Sequence, residues 1–102
     1  MPYNVWDLVL FTESWPEAFC RVGRILSIEN NQYFGVGINL ITLRSFKFAY
    51  EENDFRRLVS EEEHLFLLRV AKSWHFPPKA LAILETEMPP EEVINEWLHK
   101  QD

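Results

Sequence analysis

Residues 46–74 read FKFAYEENDFRRLVSEEEHLFLLRVAKSW, and the period changes in the middle of that stretch. Phe46, Phe48 and Tyr50 alternate with smaller or charged residues, which is the period of a strand. Glu51-Glu52-Asn53-Asp54 reads as a turn, and a short strand is expected over 55–59. Ser60-Glu61-Glu62-Glu63 then reads as a capping box. The Ser60 hydroxyl can accept from the Glu63 amide, and the Glu63 carboxylate can reach back to the Ser60 amide. Three carboxylates in the first turn suit the positive end of a helix dipole. The helix is expected to run from 61 to 75 with Leu65, Phe66, Leu68, Val70, Ala71 and Trp74 as its apolar stripe. His75-Phe76-Pro77-Pro78 stops it, because proline lacks the amide and disfavours helix in the residue before it.

Toward the N-terminus the period of two continues. Trp6, Leu8 and Leu10 share a face within residues 5–11. Cys20, Val22, Leu26 and Ile28 share a parity broken by Arg24. Phe34, Val36, Ile38 and Leu40 share another. Asn30-Asn31 between two such runs reads as a tight hairpin turn, since Asn tolerates positive φ. Gly35 and Gly37 alternate within a strand, so they leave room on one face for a bulky side chain or a neighbouring backbone. They cannot form a phosphate loop. Gly23 reads as a bulge that helps curl the sheet. Four or five short antiparallel strands in about 60 residues predict a curled sheet or a small barrel. In strand count and spacing this half resembles the SH3-like barrels, which implies a fold and no function.

Toward the C-terminus, short helices are expected over 79–86 and 91–100, separated by Met88-Pro89-Pro90. Val93, Ile94, Trp97 and Leu98 make one apolar face of the last helix. The stretch PPKALAILETEMPPEEVINEWLHK resembles a helix-turn-helix in its general pattern, and the resemblance implies a transcription-associated role in which Asn95 reads a base. The second helix of that pair, however, displays Glu91, Glu92 and Glu96, and carboxylates repel phosphate at every approach. Packing is the expected role of both helices.

The 102 residues are 47% hydrophobic and 15% aromatic, too apolar for a disordered chain, and one cysteine excludes a disulfide scaffold. The length fits one domain, a β-rich part over 3–59 and a helical part over 60–102. No run of about 18 apolar residues occurs, so no membrane partner is expected. The start MPYNVWD lacks the features of a secretory signal, and the lone Cys20 fits a reducing compartment, so a cytoplasmic location is expected. The net charge of −6 arises wholly after residue 50, where six basic residues face twelve acidic ones; residues 1–50 are neutral and hold ten of the fifteen aromatics. Acidity of that order argues against nucleic acid and anionic membranes as partners.

Catalysis finds no support in these residues. Cys20 sits on an apolar parity and reads as a buried, inert thiol. No serine has a nucleophile-elbow spacing, and no constellation offers a nucleophile, a base and an oxyanion site together, so no enzyme is expected. His64, His75 and His99 have no partner histidine at helical spacing, so zinc is not expected. Glu51, Glu52, Asn53 and Asp54 offer oxygens for calcium, which leaves a calcium-responsive protein as an alternative reading, although the EF-hand spacing is absent. No cofactor is implied.

The expectation is therefore an α+β fold, a curled antiparallel sheet or small SH3-like barrel of about five strands followed by three C-terminal helices. The function expected is that of a small non-enzymatic protein-binding module, an adaptor, inhibitor or immunity-type protein acting by docking or steric occlusion. Trp15, in a loop, and Tyr33, opposite in parity to the apolar face of its strand, would be the anchors. Glu51, Glu52, Asp54, Glu61 and Glu62 would steer a partner with a basic surface. A homodimer through the same aromatics is the other partner this reading allows.

Overall fold

The computed structural model describes residues 2–12 and 21–99. Five strands come first: β1 (Leu8–Phe11), β2 (Arg21–Glu29), β3 (Gln32–Asn39), β4 (Ser45–Tyr50) and β5 (Phe55–Leu58). Three helices follow: α1 (Glu61–Ser73), α2 (Pro78–Leu84) and α3 (Glu91–His99). All strand pairs are antiparallel, and the order across the sheet is β4-β3-β2-β1-β5. The fold is α+β with a curled sheet. The sheet does not close into a barrel, because β4 and β5 remain its two edges, joined by a one-turn 3-10 helix at Glu52–Asp54.

Alternation along the strands buries both faces of the sheet. Leu8, Val22, Leu26, Val36 and Ile38 point to one side, where Leu68, Ala71, Ile83, Leu84, Ile94 and Trp97 from the three helices meet them. Val9, Phe11, Ile25, Tyr33, Phe48 and Phe55 point to the other and form a second, aromatic core. Rings stack edge to face across it, as with Phe11 and Phe48 at 5.3 Å between centroids. Glycine makes that second core possible. Gly35 pairs with Phe48, and a Cβ on Gly35 would lie 2.0 Å from the Arg24 carbonyl oxygen and 2.6 Å from the Phe48 ring. The expected room above Gly35 and Gly37 is thus filled by aromatic rings. Gly23 is not the bulge. The register shift of β2 against β3 lies between Ile25 and Ser27, and Gly23 instead accommodates the Phe11 and Phe48 rings.

The turns follow local chemistry. Asn30 and Asn31 have φ of 49° and 63°, the double positive φ of a two-residue hairpin loop. At the start of α1, Ser60 Oγ accepts from the Glu63 amide at 3.2 Å and the Ser60 amide donates to Glu63 Oε1 at 2.9 Å, the expected capping box. The helix ends at Ser73, earlier than the prolines require. His75 takes φ of 53°, and the Phe76 amide donates to the Ala71 carbonyl at 3.0 Å, a Schellman closure with Phe76 buried beneath it.

The expected stripe of α1 is only partly inside. Leu68 and Ala71 are buried, while Leu65, Phe66 and Trp74 face outward with 54%, 61% and 75% of their surface exposed. The helix meets the rest of the protein along one narrow face, chiefly against α2. None of the helices is long and apolar enough to cross a membrane among the described residues.

Candidate functional site

Tyr33 is not an exposed anchor. It is completely buried in the aromatic core, edge-on to Tyr3 and Phe55 at 5.7 and 5.2 Å. Its parity differs from that of Phe34 and Val36 because the curled sheet has a second covered face. Trp15 and Cys20 lie outside the described residues.

The acidic residues are exposed and come from two segments, the 3-10 turn and the start of α1. Glu51, Glu52 and Asp54 sit in the 3-10 turn, where the Asp54 carboxylate accepts from the Glu51 amide at 2.9 Å. Arg56 and Arg57 on β5 then separate that turn from the start of α1. Arg57 holds Glu63 in a two-pronged ion pair at 2.6 and 2.9 Å. The Arg57 hydrogen bond, reinforced by those from Ser60, draws the Glu63 carboxyl down to about 2. Glu61 and Glu62 remain exposed. Among the described residues no three His, Cys, Asp or Glu side chains come together to hold a metal, and one Asp54 carboxylate oxygen is taken by the Glu51 amide.

Among the described residues the buried charged side chain is one that the sequence marks only as a break in an apolar parity. Arg24 is 4% exposed. Its Nε donates to the Ile83 carbonyl at 2.7 Å, Nη1 to the Trp6 carbonyl at 2.7 Å and Nη2 to the Glu85 carbonyl at 2.5 Å. The guanidinium also lies over the Trp6 ring, 4.4 Å from its centroid. Burial lowers its pKa to about 10, opposed by Asp7, so the group stays cationic at neutral pH. Its acceptors include carbonyls at the C-terminal end of α2, the negative end of that helix. His64 on α1 converges there too, its Nε2 donating to the Leu84 carbonyl. Nε2 therefore carries the proton and has no lone pair for Arg24 Nη2, 3.4 Å away. Trp6 is held at φ of 74° by its amide on the Ile25 carbonyl (2.6 Å) and its indole N–H on the Thr86 carbonyl (2.9 Å). These are structural attachments: Arg24 is enclosed, and nothing about it offers a ligand room.

Open space lies elsewhere. Met88-Pro89-Pro90 leads into α3, which packs against β3 of the β2–β3 hairpin. Between them is a groove of about 830 Å³. Its floor is apolar, from Leu26 and Phe34 on the hairpin and Ile94 and Leu98 on α3, with Met88 and Pro89 along one side. Glu29 contributes a carboxylate from the hairpin and Glu91 one from α3. Asn95, His99 and Ser27 supply the remaining polar groups, and none of the described lining residues is Lys or Arg. Phe34 and Leu98 also wall a smaller depression of about 270 Å³ over Gly35 and Ala49. Asn95 is thus a groove residue beside Glu91. α3 buries Ile94 and Trp97, the packing role expected of it. Parity places Leu26 and Phe34 on one face of the hairpin. The gap between α3 and the hairpin is one that no local pattern announces. Comparison of the chain with family models, with curated proteins and with solved structures finds no match.

Proposed function

We propose that the protein is a small, non-enzymatic protein-binding module of the adaptor, inhibitor or immunity type, which docks a basic segment of another protein in the groove between the β2–β3 hairpin and α3. The observation that carries this reading is the composition of the groove: an apolar floor of Leu26, Phe34, Ile94 and Leu98, carboxylates from both walls, and no lysine or arginine among its described lining. An apolar side chain of the partner would cover Phe34 and Leu98, and a flanking Lys or Arg would meet Glu29 or Glu91. The net charge of −6 adds long-range attraction for such a partner and speeds its approach.

The test is selection of a random peptide display library against the folded protein. Enrichment of peptides with Lys or Arg beside Leu, Phe or Trp is expected. The selected peptides should bind the variant Glu29→Lys/Glu91→Lys at least about tenfold more weakly, a loss of roughly 1.4 kcal/mol. Salt should weaken binding mainly through slower association. Enrichment of acidic peptides, or binding indifferent to the double variant, removes the groove as the docking site.

A further inference from the structure

The outward face of α1 is a separate surface from that groove. Glu62, Leu65, Phe66, Arg69, Lys72 and Ser73 recur at spacings of three, one, three, three and one, so they line a single stripe of the helix. Every one of them is exposed. The stripe is acidic at its N-terminal end, apolar in the middle and basic at its C-terminal end. Glu62, Arg69 and Lys72 make no ion pair or side-chain hydrogen bond among the described residues. In a single copy Arg69 lies one turn from Lys72, so like charges are neighbours at the basic end. The helix dipole accounts for acid at one end and base at the other. It does not account for Leu65 and Phe66 lying open between them, beside a cleft of about 320 Å³ whose lining includes Leu40, Val59 and Leu67.

A stripe with this polarity complements itself when reversed. We infer that α1 is a self-association surface, on which a second copy of this chain packs its own α1 antiparallel across a two-fold axis near the level of residue 67. Glu62 then faces the second copy's Lys72, Leu65 lies along the stem of the second copy's Arg69, and the two Phe66 rings meet near the axis. Two-fold symmetry makes each contact occur twice, as an isologous interface requires. A 13-residue helix is about 20 Å long. The contact is therefore at the small end of specific interfaces, and the dimer is weak and concentration-dependent.

Sedimentation velocity over a concentration series tests this, with circular dichroism confirming that each variant is folded. The wild-type chain should pass from monomer to dimer as concentration rises. Glu62→Lys and Lys72→Glu should each weaken the dimer roughly tenfold, because each puts two like-charged pairs across the axis. The double variant Glu62→Lys/Lys72→Glu should restore it. Mixing the two single variants should give a heterodimer tighter than either homodimer. A chain that stays monomeric at every concentration overturns the inference. So does a dimer that tolerates Phe66→Glu, or one that neither single charge reversal weakens, which would place the contact elsewhere or run the helices parallel. None of these outcomes depends on the α3 groove.

Discussion

Tyr33 shows how one atom can work against the rest of its residue. The ring is fully buried among aromatic neighbours and gains from both area and edge-to-face geometry, yet its hydroxyl has no hydrogen-bond partner among the described residues. A buried, unsatisfied hydroxyl costs on the order of 1–3 kcal/mol. Tyr33→Phe keeps the ring and removes the orphan, so it should stabilise the protein by about 1 kcal/mol and raise Tm by roughly 4–8 °C. A thermal melt checks this, and a lower Tm would mean that the hydroxyl has a partner. The residue also marks a limit of reading by parity. Alternation separates two faces of a strand but does not say that only one is covered. Here Gly35 opposite Phe48 leaves room for rings on the second face, so a side chain read as outward is the most enclosed aromatic among the described residues.

At the scale of the element, the start of α1 concentrates several devices on one side chain. Glu63 closes the capping box on Ser60 and pairs with Arg57 of β5, so it joins the helix to the sheet edge as well as to its own first turn. Its carboxyl is held near 2, below the ordinary value of about 4.3. A depressed carboxyl contributes stability that is fully present above its unfolded value and is lost as pH falls from there toward 2. The pair is half-exposed, so solvent screening keeps the contribution small. Glu63→Gln should lower the urea midpoint slightly near neutrality, and the gap from wild type should close near pH 2. A gap independent of pH would assign the loss to capping geometry alone. The capping box was legible because its donors and acceptors lie within four residues. The strands were legible because their period persists over four runs. The outward turn of Leu65, Phe66 and Trp74 was not legible, because their apolar character suits a core as well as an interface, and only the placement of α2 decides which.

Across the whole molecule, Arg24 fastens the sheet to the helices. One guanidinium serves carbonyls from residues 6, 83 and 85, and no sequence pattern could name these partners, since backbone oxygens are the same at every residue. Arg24→Ala would leave those carbonyls buried without donors and should cost about 3 kcal/mol, with a Tm drop of more than 10 °C. Arg24→Lys, with one ammonium in place of a fork, should recover only part of it. Equilibrium urea unfolding followed by both tryptophan fluorescence and far-ultraviolet dichroism measures this, and a loss below 1 kcal/mol would show that the clamp is dispensable. The strand order carries a consequence of another kind, for the time course of folding. β2, β3 and β4 form a meander of neighbours in sequence, held by the Asn30-Asn31 turn, and can assemble early. β1 stands between β2 and β5, pairing Val9 with Leu58, so half of its ladder must wait for a strand far along the chain. Contacts of such long sequence separation slow folding toward milliseconds or longer. They also place the docking of β5 and the fastening of α2 after the meander has formed, so the β5 edge is the last part of the sheet to be set, while the β4 edge is already in place.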